Sequence, residues 1–210
     1  MKNVPGHLGI ILDGNRRWAN QRGLPVFEGH RKGLETIKRV VNYCKKKGVK
    51  TLTLFVFSTE NWRRSLKEVN FLMKLAKKAL ANNLEELAGR EVRVKVIGQK
   101  TKLPADLQAE IKNIEKLTQN NGKMTLNLAL SYGGRTEIVE AVKNIVKKKI
   151  SPAKITENVL GKNLWTSDVD LIIRTGKEQR ISNFLLWQAA YSEFYFCHKF
   201  WPDFTQNDLD

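Results

Sequence analysis

The chain has 210 residues, 41% hydrophobic and 28% charged, which suits one soluble domain with a sizeable core and excludes a disordered chain. Its 37 Lys and Arg against 21 Asp and Glu leave a formal charge of +16, which favours polyanions, anionic membrane surfaces or phosphorylated small molecules as partners. Cys44 and Cys197 are far apart and form no CxxC pair, so neither a disulfide framework nor a zinc site is supported. No apolar run approaches the roughly 18 residues of a membrane span, the N-terminus lacks the features of a signal peptide, and a cytoplasmic protein is expected.

In chain order, apolar β-branched runs occur at 8–12 (LGIIL), 51–57 (TLTLFVF), 92–97 (VRVKVI), 124–130 (MTLNLAL) and 170–174 (DLIIR). Between them, helical apolar spacing predicts helices over 31–47, 66–87, 104–120 and 137–149, and 191–197 (YSEFYFC) supplies a sixth strand. This alternation predicts a single α/β domain over 1–210, an open and mostly parallel sheet of about six strands flanked by helices. The helix at 66–87 has a main apolar stripe at Val69, Leu72, Met73, Ala76, Leu80, Leu84 and Leu87. Phe71 and Leu75 form a second face, which requires a cover: a partner helix or a hydrophobic substrate.

Four of the strands end in polar breaks: 13–17, 58–64, 131–135 and 174–182. In an open parallel sheet these carboxy-terminal ends share one edge, where ligands bind. The run at 92–97 ends without charge until Lys100 and is expected to lie away from the site. Arg16, Arg17, Arg64, Arg135, Arg174 and Arg180 gather at the shared edge, and glycines at 14, 133, 134 and 176 allow backbone amides close to an anion. A diphosphate site is the chemistry that this combination suits.

Asp13 is the only acid in its segment, and one carboxylate with substrate phosphates is a usual way to hold Mg²⁺; a helix N-cap is the competing role. Glu193, inside an apolar and aromatic run, reads equally as a second metal ligand or as an acid facing water from an edge strand. His30, at a predicted helix start, is a cap or an anion contact. Trp18 and Trp62 directly follow polar breaks, although core packing is the commoner use of tryptophan.

The motifs DGNRRWA, GHRKG, FSTENWRR, LNLALSYGGR, IIRTGKEQRISNFLLWQAAYSEFYF and WPDF run nearly end to end. In order and spacing they closely resemble the cis-prenyltransferases, the undecaprenyl diphosphate synthase-like isoprenyl transferases. The resemblance implies an Mg²⁺-dependent cis-condensation of isopentenyl diphosphate with an allylic diphosphate such as farnesyl diphosphate. The expected product is a polyprenyl diphosphate serving as lipid carrier for cell-wall glycan synthesis. It also implies a homodimer, a hydrophobic product tunnel and peripheral membrane association through the product.

By motif position, Asp13 resembles the catalytic, metal-binding aspartate and Glu193 the second metal-site acid. Gly14, Asn15, Arg16, Arg17, Trp18 and His30 resemble the allylic-substrate contacts. Ser58, Thr59, Glu60, Trp62 and Arg64 match substrate-site residues, with Asn61 in the place of the proton acceptor. Arg174, Arg180, Ile181 and Ser182 match contacts to isopentenyl diphosphate. Four features depart from the pattern: Val26 stands where an arginine is usual, Lys177 where a glycine is common and Gln179 where a histidine is common. The fourth is that the sequence stops soon after WPDF, without the usual C-terminal helix and basic tail. A short-chain synthase and a non-catalytic subunit of the same fold are the related alternatives. A basic nucleic-acid-binding domain is the unrelated one, disfavoured because the aromatics fall in core-like runs rather than along a basic stripe.

Overall fold

The computed structural model describes residues 4–82 and 91–210. Six strands, β1 (His7–Ile11), β2 (Thr51–Ser58), β3 (Val92–Ile97), β4 (Met124–Tyr132), β5 (Leu171–Arg174) and β6 (Glu193–Phe196), form one sheet in the order β3-β4-β2-β1-β5-β6. Every neighbouring pair is parallel. From β1 the chain builds β2, β3 and β4 on one side and then crosses over to add β5 and β6 on the other. The strand order therefore reverses between β1 and β5, and a crevice beyond the carboxy ends of these two strands is where such sheets bind ligands.

Alternate residues of each strand face opposite layers. Ile10, Leu54, Val94, Leu128 and Ile173 join the main core with Ile37 and Val41 of α2 (Val26–Lys47), Val69 and Met73 of α3 (Leu66–Asn82), and Leu107 and Ile111 of α4 (Ala105–Leu117). Ile11, Phe55, Ile97, Ala129 and Ile172 face a smaller layer closed by Phe184, Leu185 and Ala189. On that side Glu137 of α5 (Gly134–Lys147) accepts hydrogen bonds from Tyr132 and from Gln188 Nε2 (2.9 Å). Burial pushes the Glu137 carboxyl above its ordinary range. A short α6 (Glu157–Gly161) precedes β5.

All six strands stand where the apolar runs predicted them, and β3, the strand expected to lie away from the site, is the outer edge beyond β4. Three helix starts shift, by five residues for α2 and by one and three for α4 and α5. The last turn predicted for 66–87, with Leu84 and Leu87, lies outside the described residues. The sequence also conceals α1 (Asn15–Gln21), whose one buried residue is Ala19, too little for a periodic signal. The second apolar face of α3 is covered in part from within the chain and in part opens on a cavity. Phe71 packs on Phe27 of α2 with ring centroids 4.5 Å apart, and Leu75 lines an apolar cavity between the helices and the sheet.

Candidate active site

Ile11 pairs with Arg174 across β1 and β5, so the residues just past Ile11 stand beside the end of β5. Asp13 Oδ2 accepts from Arg174 Nη2 at 2.8 Å, and Asp13 Oδ1 pairs with Arg17 Nη2 at 3.1 Å. The backbone is fixed there as well: the Asp13 N–H donates to Thr175 Oγ1 (3.0 Å), and the Thr175 hydroxyl donates to Asp13 O (2.8 Å). Two glycines permit this packing. Gly14 has φ 106° against Phe200, and Gly176 has φ 90° with its α-carbon so near the Asp13 carbonyl that a side chain would meet it at about 3 Å. Gly14 is also the N-cap of α1, so Asp13 does not fill that role.

Arg174 is buried, with Nη1 donating to Ser182 Oγ at 2.7 Å and to Arg180 O. Glu178 bridges Arg17 (2.9 Å) and Arg180 (2.5 Å). Arg17, Arg174 and Arg180 thus form one cluster around Asp13 and Glu178. Ser182 and Asn183 take positive φ, which turns the loop back so that Asn183 reaches Glu60 (3.0 Å) and the Arg135 N–H (2.9 Å). Ile181 is half-buried in this loop, and Lys177 and Gln179 are exposed.

A second cluster surrounds Glu68 of α3. Arg64 Nη1 donates to Glu68 Oε1 at 2.9 Å, His30 Nε2 lies 3.3 Å from the same oxygen, and Arg16 Nη1 is 3.6 Å from Oε2. Burial, aided by the Arg64 charge, lowers the His30 pKa. Neutral His30 therefore donates Nε2–H to the carboxylate. Glu68 and Glu178 were both missed at the level of sequence. A signal for Glu68 existed, since it stands four residues after Arg64 in the first turn of a helix.

Between the clusters lies an open groove of about 540 Å³, lined by Asp13, Asn15, His30, Ser58, Asn61 and Arg64 among others. Ser58 and Asn61 cap the turn Thr59–Arg63 reciprocally, the Ser58 N–H donating to Asn61 Oδ1 at 3.1 Å. Thr59 approaches Gly133, where a side chain could not fit. Asn15 and His30 also line the apolar cavity, of about 100 Å³, whose other walls include Leu34, Val56, Leu72 and Met73. Asn15 Oδ1 and Arg174 Nε are buried without a hydrogen-bond partner among the described residues. Trp62 donates to Ser131 Oγ (2.9 Å) and packs on Phe57, and Trp18 donates to Asp203 (2.7 Å) under Arg22.

Glu193 is not brought to this edge. It begins β6 opposite Leu171, at the far end of the strands from Arg174, and is exposed on an edge strand. Among the described residues no group of three or more His, Cys, Asp or Glu could hold a metal ion. A half-exposed Asp13 beside the groove does fit the Mg²⁺ habit of taking one carboxylate together with phosphate oxygens.

Residues 11–210 match the sequence profile of the family described as "Putative undecaprenyl diphosphate synthase". An isoprenyl transferase of Fusobacterium nucleatum is 47% identical over 211 residues, spanning 100% of this chain and 91% of the relative. The crystal structure of lavandulyl diphosphate synthase from Lavandula x intermedia, in complex with dimethylallyl diphosphate, superposes with a TM-score of 0.95 at 40% identity, covering 98% of this chain and 92% of that one. A Campylobacter jejuni structure described as a probable undecaprenyl diphosphate synthase gives 0.84 at 34% identity, covering 99% and 92%. Sequence, fold and arginine-lined sheet edge agree, and the chain belongs to the undecaprenyl diphosphate synthase family of isoprenyl transferases, the cis-prenyltransferases.

Proposed function

We propose that the protein extends an allylic diphosphate, with farnesyl diphosphate as the expected primer, by cis-condensation with isopentenyl diphosphate to give a polyprenyl diphosphate. The observation that carries this reading is the adjacency of two arginine clusters with an apolar cavity whose mouth shares Asn15 and His30 with the polar groove. Two diphosphates need two cationic seats, and one hydrocarbon chain needs a dry one.

The residues divide the work accordingly. Arg64 and His30 line the groove where it meets the cavity and, with Arg16 paired to Glu68 beside them, hold the allylic diphosphate. Gly14 and Asn15 shape that corner, Trp18 follows on the same helix, and Arg17, paired with Asp13 and Glu178, lies on the side of the second seat. Arg174, Arg180, Ile181 and Ser182 hold isopentenyl diphosphate. The new carbon–carbon bond forms as the allylic carbon–oxygen bond breaks, the leaving diphosphate keeps the electron pair, and the surrounding guanidiniums stabilise its growing charge. The proton lost from the condensed unit is assigned to Asn61, whose Oδ1 orientation is set by the Ser58 N–H. Apolar walls keep water from the allylic cation. Mg²⁺, held by Asp13, would supply further charge neutralisation of the leaving diphosphate.

Two assembly features belong to the same reading. Val139, Val142 and Val146 form an exposed stripe on α5, and Tyr191, Phe194 and Tyr195 are exposed along the β6 edge, surfaces that suit a homodimer. No helix among the described residues is long and apolar enough to cross a membrane, and the association with a bilayer that belongs to this reading is peripheral, made through the lipid product. A short-chain synthase is favoured by one observation, the branched Val56 in the cavity wall. Elongation assays with labelled isopentenyl diphosphate and primers of several lengths test both readings.

A further inference from the structure

We propose that Glu68 is the positioning residue of the diphosphate clamp at the cavity mouth. Its side chain is 9% exposed, and the carboxylate faces three basic side chains delivered by three separate elements: Arg16 from α1, His30 from α2 and Arg64 from the turn after β2. The Glu68 N–H in turn donates to Ser65 Oγ at 3.3 Å, and the first turn of α3 favours a negative charge at this point.

In the ion pairs with Glu68, each arginine uses one terminal nitrogen, leaving the rest of its planar fork for another anion. Two guanidiniums against one carboxylate keep the cluster net positive. The groove is lined by Arg64 and His30, and the apolar cavity by His30 and Asn15. The anion seated here is therefore the diphosphate of the substrate whose hydrocarbon lies in the cavity. Without Glu68, two guanidiniums would repel one another beside a buried imidazole, and the side chain of Arg16, already 55% exposed, would lose its tether. Preorganising such donors lowers the ordering cost of binding. No ion pair joins Glu68 to Asp13, Arg17, Arg174, Glu178 or Arg180 among the described residues, so the effect should fall on one substrate.

This inference rests on the prenyl-transfer reading, and its test separates the two. Steady-state kinetics on the full chain, and binding of unreactive farnesyl thiodiphosphate, are measured for the wild type, Glu68→Gln, Arg64→Gln and the double variant. Glu68→Gln should raise the allylic KM and the analogue Kd about tenfold and leave the isopentenyl diphosphate KM within about twofold. The double variant should lose clearly less than the sum of the two single losses, because Glu68 acts in part through Arg64. Glu68→Asp keeps the charge, should lose less, and serves if Glu68→Gln does not fold. An unchanged or tighter analogue Kd, an equal rise in both KM values, or additive losses would overturn the assignment. A wild type that binds the analogue but never elongates would sink the transferase reading and leave the role of Glu68 standing.

Discussion

Asp13 and Arg174 form a 2.8 Å ion pair across the junction of β1 and β5, the point where the strand order of the sheet reverses. One partner is buried and the other opens onto the groove, so the pair fixes the carboxylate while leaving it reachable. Replacing Asp13 by Asn should preserve the fold, since Arg174 keeps Ser182 Oγ and the Arg180 carbonyl as acceptors. Turnover should fall by at least about 100-fold, because the Mg²⁺ that Asp13 would hold beside the leaving diphosphate loses its carboxylate ligand. Thermal unfolding and steady-state rates in Mg²⁺ check this, and near-normal turnover would remove Asp13 from the mechanism.

Arg180 is mostly exposed, and its pair with Glu178 adds little stability. Its contribution should appear in binding instead. Arg180→Ala is expected to weaken isopentenyl diphosphate by roughly 1.5 to 3 kcal/mol, the worth of a charge-assisted contact, with the unfolding temperature unchanged. If the allylic KM rises in its place, the two seats have been assigned the wrong way round.

Val56 lines both the polar groove and the apolar cavity. A β-branched side chain at that junction narrows the path of a growing chain. Val56→Ala should therefore shift products to longer chains, at a stability cost of about 1 to 2 kcal/mol for the methyl groups lost from a half-buried site. Product lengths resolved by chromatography provide the check, and an identical distribution would free this position from any part in chain length.

The chain also carries a pH signature. His7 is buried with Nδ1–H donating to Asp168 O (2.8 Å) and Nε2 accepting from Thr53 Oγ1 (2.7 Å), and burial holds its pKa below the usual 6.5, as it does for His30. Both contribute stability in full above that value. As pH falls below it, the unfolded chain takes protons that the folded one excludes, so stability declines. Thermal unfolding measured from about pH 7.5 down to 5.5 should show a falling midpoint, and His7→Asn should flatten the slope while lowering stability throughout. A midpoint constant across that window would mean that neither histidine is held neutral.

Much of this was legible in the sequence because the strands are apolar runs set apart by helical spacing, and those of β1, β2, β4 and β5 break on polar, arginine-bearing segments at the same sheet edge. What escaped was local or tertiary. The α1 helix buries one residue, Ala19, and so has no apolar rhythm to detect. In LKEVNFLM, the four-residue spacing from Arg64 is the one signal at Glu68, which otherwise resembles any solvated acid near a helix start, and only the fold adds Arg16 and His30 around it. Glu193 shows the opposite case. Its neighbourhood matches the family motif, yet β6 runs parallel to β5 and begins at the opposite end of the sheet from Asp13.

The most direct test of the central claim is an elongation assay in Mg²⁺ with labelled isopentenyl diphosphate and farnesyl diphosphate, with products resolved by length and their new double bonds assigned by NMR. The account predicts labelled polyprenyl diphosphates whose added units are all cis, formed only when both diphosphates are present. Failure to incorporate label with any allylic primer, or products with trans added units, would contradict it.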